Sequence, residues 1–257
     1  MKWLKEVAYL LGLPIILLIL WTAATASGAN FFFPTPAEIV AAFVDTWFSE
    51  RFFTDVVPSI ARLAVGVVLA IVIGVAAGVL IGSVRWLREL TEPVLEFFRA
   101  LPPPVLIPIL MLLIGVTDAM KIIVITFSCV WPVLLNTIEG VRSIDSVQAE
   151  TSRTYGFPAG AMVWRLVLPS ASPRIMAGIR QSLSIGLIMM VISEMFASSS
   201  GLGFTIVTFQ RTFSIPEMWS GILLLGLIGI ALSFIFQWAE RRVLRWYHGL
   251  REVEHAA

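Results

Sequence analysis

Repeated apolar runs, each about the length that crosses a bilayer, limit what this chain can fold into more than any other feature. A helix needs roughly 20 such residues to span the hydrocarbon layer. Runs of this kind are read at residues 7–26, 57–82, from 93 onward, 120–138, 172–197 and 214–239. The composition agrees, with 58% hydrophobic and 14% charged residues and a mean hydropathy of +0.90. That is too little charge to coat a soluble domain of 257 residues. Lipid cannot hydrogen-bond a backbone, so the expected fold class is an all-α integral membrane protein with about six transmembrane helices.

Local signals refine the spans. Ala24-Thr25-Ala26 resembles a cleavage site, but the preceding run is long enough to span and is read as an uncleaved first helix. Phe31, Phe32 and Phe33 suit the membrane interface. Thr35-Pro36-Ala37-Glu38 is a capping box with proline in the first helical turn. It opens a helix with Ile39, Val40, Phe43, Val44, Trp47 and Phe48 on one face, suited to lie on the membrane surface. Ser214-Ile215-Pro216-Glu217 reads as a second capping box ahead of the last span. In span two, Gly66, Ala70, Gly74, Gly78 and Gly82 recur every four residues. In span five, Gly178, Ser182 and Gly186 repeat the pattern. Such stripes let a neighbouring helix approach closely where no hydrophobic drive exists between helices.

The third run holds Arg99, Pro102, Pro103, Pro104 and Pro108, a density of proline that no regular helix interior accepts. Two readings stand: a kink at the membrane entrance with Glu96 and Arg99 paired, or a broken helix beside a translocation path. Arg85, Arg88, Glu89 and Glu92 read as a short loop before it.

Between spans four and five lies the longest polar interval, residues 139–174. Residues 147–155 read as a helix stopped by Gly156 in left-handed backbone. Pro158 then fits the first turn of a second helix that carries Trp164, Leu166 and Leu168 and must end before Pro169. The unit has the stiffness of a docking element. With the first terminus cytoplasmic, fourteen of the 18 Lys and Arg residues fall on the cytoplasmic side. Only Arg51, Arg62, Lys121 and Arg211 do not. By the positive-inside rule, both termini and the central interval are cytoplasmic.

Covalent chemistry has no visible seat. The lysines are Lys2, Lys5 and Lys121, none following a Gly-rich phosphate loop. The two histidines, His248 and His255, stand in the tail, away from any metal or catalytic cluster. Residues 198–203 are a Ser/Gly turn. The chain is therefore not expected to be an enzyme, to hold a metal or cofactor, or to bind nucleic acid. Glu194 is the acidic residue deep in an apolar run. It is read either as a structural partner of Arg62 or as a group lining a pathway, with Met190, Ser193, Arg99 and Pro103 as further lining candidates. An ion-coupled secondary transporter working through Glu194 is the alternative function.

The central interval also carries a resemblance. Glu150-Thr151-Ser152, three residues, Gly156, nine residues, then Leu166-Val167-Leu168-Pro169 resembles the cytoplasmic loop of bacterial ABC importer permeases, E-A-A-x3-G-x9-I-x-L-P. Thr151, Ser152 and Leu166 are conservative departures. FFFPTPAEI, PSIARLAVG, FFRALPPPVLIPILMLLIG, PVLLNTIEGVRSID, SEMFASSSGLGFTI and RRVLRWYHG extend the resemblance to the nitrate/sulfonate/taurine-type permeases, over nearly the whole chain. The resemblance implies a type I importer subunit in a bacterial inner membrane. A second copy would complete the pathway. Two ATPase subunits would hold ATP and Mg and receive the coupling helix, and an extracytoplasmic solute-binding protein would deliver the solute. The implied organisation is a first helix and interfacial helix over 1–56, a permease domain over 57–242 containing the coupling loop 139–174, and a cytoplasmic tail over 243–257.

Overall fold

A computed structural model describes residues 2–26, 31–196 and 198–247, with residues 2–11 as backbone alone. The expected tail therefore lies outside the described residues from His248 onward. Among the described residues the chain is helical throughout, without strands.

Helix α1, Lys2–Thr25, leads to the aromatic corner. Trp21 Nε1 donates to the Pro34 carbonyl at 3.2 Å, and Trp219 Nε1 to that of Phe32 at 3.1 Å. Helix α2, Pro36–Trp47, starts at the capping box as read: Glu38 N donates to Thr35 Oγ1 and Thr35 N to Glu38 Oε2. It does not simply lie on a membrane surface. Ile39 and Trp47 are buried, and Trp47 Nε1 reaches Ser220 Oγ at 3.0 Å.

Helix α3, Val57–Ser83, follows a π-helical turn, Phe52–Val56. Helix α4, Arg85–Ala100, occupies what the sequence offered as a loop. Its polar side is laced by Arg85–Glu89 and Glu96–Arg99 ion pairs, which favour helix at those spacings. A short 3₁₀ turn, Pro103–Val105, then leads into α5, Leu106–Ile114. The two parts of this third run meet at 79°. It is broken, because Leu101-Pro102-Pro103-Pro104 cannot supply the backbone donors that a continuous helix requires.

Helix α6, Asp118–Arg142, is the central strut. Helix α7, Ser146–Thr154, turns the chain, and α8, Ala159–Met162, follows with Pro158 at its N-cap, one position earlier than read. The helix expected to stop before Pro169 does not stop. A π turn, Val163–Val167, carries it into α9, Leu168–Phe196, so residues 159–196 form one 38-residue helix. The wide π turn relieves the clash between the Pro169 ring and the preceding turn. The Pro169 carbonyl, which Pro173 cannot serve, accepts from Ser172 Oγ at 2.7 Å. The same device recurs at α3, where Pro58 follows the other π turn.

Helix α10, Leu202–Arg211, was not read from the sequence. Helix α11, Ile215–Val243, begins at Ser214 without the expected capping box. Ser214 Oγ pairs instead with Thr212 Oγ1 at 3.2 Å, in a turn that holds Phe213 at φ +57°.

Four helical stretches are long and apolar enough to cross a membrane, and five if the bent pair counts as one span. The sixth expected span is α1, whose apolar part among the described side chains is Gly12–Thr25. The core is a seam of α3 and α9 on α6. A Cβ on Gly78 would lie 2.5 Å from Thr137 Cβ, and one on Gly74 2.9 Å from Val133 Cβ. Gly66 meets Ile125 and Gly82 meets Val141 in the same way, and Ala70 is fully buried. From the other side, a Cβ on Gly178 would lie 2.6 Å from the Pro132 carbonyl, and Gly186 abuts Cys129. Ser182 Oγ donates to the Cys129 carbonyl at 2.7 Å. Away from this seam Val68, Val72, Ile230, Phe234 and Ile235 remain exposed, a surface suited to lipid.

Substituting Gly78→Val forces α3 away from α6 and should cost about 1–3 kcal/mol by overpacking, read as a lowered unfolding temperature in detergent. Gly226→Ala, where an added Cβ meets nothing within 4 Å, should leave that temperature unchanged or raise it slightly, since alanine favours helix; equal losses at both sites would remove the seam's role.

Candidate functional site

The functional groups gather at the two ends of the α6 strut, roughly 37 Å apart for its 25 residues, and in a cavity between them. At one end α7 stands clear of the bundle. Asp145 caps it, its carboxylate accepting from Val147 N at 2.7 Å and Gln148 N at 3.3 Å. Its far end closes as a Schellman motif. Phe157 N donates to the Ser152 carbonyl at 3.1 Å and Gly156 N to that of Arg153 at 2.9 Å, with Gly156 at φ +70°. Backbone thus fixes the shape while the side chains stay outside: Glu150 and Thr151 are exposed and Ser152 is half-buried. Tyr155 and Trp164 are each about three-quarters exposed, at 77% and 74%. Leu166, Leu168 and Pro169 sit half-buried where the unit joins the long helix.

At the other end a polar network lies inside the protein. Glu194 is fully buried. Arg62 Nη1 donates to its Oε1 at 2.6 Å, Ser59 Oγ at 2.7 Å, and Gly203 N to Oε2 at 3.1 Å. Arg62 Nε continues to Asp118 at 2.8 Å, which Lys121 also reaches at 3.3 Å. Asp55 accepts from Gly201 N at 3.0 Å. The carboxylates and Ser59 therefore tie the turn before α10 to α3, α6 and α9. Gly201, at φ +114°, presses so close that a Cβ would lie 2.5 Å from Glu194 Cδ. Charges buried this deep hold only when every partner is present.

Of the residues read as candidates for a pathway lining, Glu194, Met190 and Ser193 are wholly buried within this chain, and Ser193 Oγ is spent on the Met190 carbonyl at 2.9 Å. Arg99 and Pro103, with Pro104, Trp131, Asn136 and Gln181, edge a cavity of about 700 Å³ where the broken α4–α5 run faces α6 and α9. Phe98 stacks on Trp131 at 5.9 Å, and Asn136 Nδ2 lies 3.5 Å from Gln181 Oε1. Trp131 Nε1 is a covered donor with no partner among the described residues.

Ser59, Asp55, Asp118, Asn136 and Gln181 were not singled out from the sequence. The signal was present: each is polar within or at the edge of an apolar run. Their partners, however, stand as far as 146 positions away. Among the described residues, no three of His, Cys, Asp and Glu converge as a metal site.

Comparison with known proteins places this arrangement. Residues 66–248 match the family model described as binding-protein-dependent transport system inner membrane component. The chain is 29% identical over 246 residues to the putative aliphatic sulfonates transport permease protein SsuC of Bacillus subtilis, covering 95% of this chain and 88% of that one. It is 28% identical over 240 residues to the bicarbonate transport system permease protein CmpB of Synechococcus elongatus, covering 89% and 86%. Its fold is similar to a chain of the MetNI methionine ABC transporter in an inward-facing conformation, with a TM-score of 0.63 at 20% identity over 74% of this chain and 94% of that one.

Glu194→Met leaves the buried Arg62 with Asp118 alone and Gly203 N without its acceptor, and should destabilise the protein by roughly 3–5 kcal/mol, whereas Arg62→Met with Glu194→Met should recover part of that loss. Thermal unfolding of the two single variants and the double variant measures it. Strict additivity would show that the two charges are not coupled.

Proposed function

The chain belongs to the family of binding-protein-dependent transport system inner membrane components, and from that membership we propose that it is half of the solute pathway of an ATP-driven importer. A second copy completes the pathway. Two cytoplasmic ATPase subunits, which carry the ATP and Mg, dock on α7 and α8, and an extracytoplasmic solute-binding protein presents the cargo. Both termini face the cytoplasm.

The observation that carries this reading is α7 with its Schellman stop. A backbone-fixed helix that exposes Glu150 and Tyr155, followed by an exposed Trp164 on the π turn beyond α8, is built to be held by another protein. Charge segregation supports the orientation. Arg142, Arg153, Arg165 and Arg174 gather at the α7 end, and Arg180 pairs with Glu240 near the end of α11. Arg51, Arg62, Lys121 and Arg211 mark the opposite end. Glu150, Thr151, Ser152, Gly156, Leu166, Leu168 and Pro169 form the coupling surface and its joint with the long helix. Closure of the ATPase pair moves α7, and the spans rock about the seam to open the opposite side. An ion-coupled carrier would need a carboxylate that solvent and ions can reach. Glu194, held by Arg62, Ser59 and Gly203, is not one.

The test is reconstitution of this chain in liposomes with its ATPase and binding protein. Uptake should require ATP. Gly156→Val, which cannot hold φ +70° without strain, and Glu150→Lys should each leave ATP hydrolysis in place and lower uptake by roughly tenfold, the scale of an inter-site coupling. Uptake driven by an ion gradient with no ATPase present would overturn the reading.

A further inference from the structure

Where α2 gives way to the π turn ahead of α3, a group of aromatic rings stands outside every role assigned so far. Phe43, Trp47, Phe48, Phe52 and Phe53 line a hollow of about 550 Å³ together with Glu50. Trp47 is buried, with its Nε1 turned inward to Ser220, but Phe48 and Phe53 are 80% and 73% exposed. Membrane interfaces favour Trp and Tyr, whose polar tips meet the wet side. Phenylalanine has no such tip. The rings pair edge to face, Phe43 with Phe48 at 6.4 Å and Phe52 with Phe53 at 5.5 Å, so they stand across one another instead of closing into a stack. Two charges border them. Glu50 is exposed, and its carboxylate has no hydrogen-bond or ion-pair partner among the described residues. Arg51, the next residue, holds its guanidinium 5.4 Å from the Phe209 ring centroid and likewise has no carboxylate partner among them.

We propose that this hollow binds the head group of a zwitterionic phospholipid, the ammonium among the rings at Glu50 and the phosphate at Arg51. An unpaired carboxylate beside aromatic faces selects an ammonium, which both attract. The adjacent guanidinium disfavours a bare cation and calls for an anion covalently close to it, as a phosphate is in such a head group. The level in the membrane also suits a lipid. Leu224, the α11 residue on the lining, lies nine residues from the start of that span at Ile215, roughly 14 Å along it. Leu227 and Ile230, about one and two turns further in, are exposed and offer one acyl chain a track. The proposal needs only that α11 crosses a bilayer, and it stands apart from the importer reading. A lipid in this place would brace α2 and the π turn against α11 from outside the fold.

Native mass spectrometry of the full chain in detergent, titrated with lipids of identical acyl chains, tests the proposal. The probes are phosphatidylethanolamine, phosphatidylcholine, phosphatidylglycerol and a phosphatidylcholine analogue in which carbon replaces the ammonium nitrogen. The first two should bind about tenfold more tightly than the last two, the order of a partly desolvated cation–π contact with a charge-assisted bond. Glu50→Gln and Phe53→Leu, both at exposed positions, should each remove most of that preference without moving the unfolding temperature. Arg51→Gln should weaken all four lipids alike, since each carries the phosphate. Free phosphocholine at the same concentrations should not compete. Equal binding of the carbon analogue, a preference for phosphatidylglycerol, or a preference that survives both Glu50→Gln and Phe53→Leu would overturn the proposal. Competition by free phosphocholine as strong as by the lipid would overturn it too, by making the occupant a soluble ammonium solute.

Discussion

Backbone-distance contact along α6 is the constraint on which the rest of this protein depends. In lipid, two apolar helices gain little from merely touching, since hydrocarbon solvates each equally well. What holds them is close packing together with the hydrogen bonds that close approach permits. Gly74 and Gly78 bring α3 onto Val133 and Thr137, and Gly178 brings α9 onto the Pro132 carbonyl of the same helix. With the backbones this near, Ser182 and Cys129 exchange bonds across the seam, Ser182 Oγ to one carbonyl and Cys129 Sγ to the other. Because α6 is gripped from two sides, the third run is left outside the seam. It can break at Leu101-Pro102-Pro103-Pro104 and leave a cavity against α6 and α9.

The buried ionic network belongs to the same logic. Helices that share a glycine seam could still slide along it, because small side chains offer little to catch. Glu194 resists sliding by bonding at once to Arg62 and Ser59 of α3 and to Gly203 of α10. Arg62 extends the tie to Asp118 on α6. The network thus fixes register at one end, while at the opposite end α7 stands clear, with Tyr155 at its cap and Trp164 on the following π turn exposed.

Features governed by near neighbours were legible in the sequence. The Thr35 box, the α7 helix, the Gly156 stop and the four-residue stripes each depend on residues within a few positions of one another. Features governed by distant partners were not. Ser59 and Glu194 are 135 positions apart, and nothing near Ser59 marks it as the carboxylate's partner. Ser214 matched a local pattern and failed it, since Thr212 competes for its hydroxyl. Pro169 looked like a helix end because a regular α-helix cannot take it; the π turn that accommodates it has no simple local signature. For the same reason α10 went unread: its Leu202, Ile206 and Phe209 look unremarkable until the Glu194 network folds the turn before it into place.

The unbroken helix of residues 159–196 has a mechanical consequence. Its 38 residues span roughly 57 Å, joining the foot beside α7 to the carboxylate end at Glu194 without a flexible joint in the bilayer. Tilted by about 10° around its middle, a rod of that length carries its two ends roughly 5 Å in opposite directions. The π turn and the paired prolines sit close to the foot, so the part that can bend is short and the part that must move as one piece is long. A push at the foot becomes a stroke at the far face.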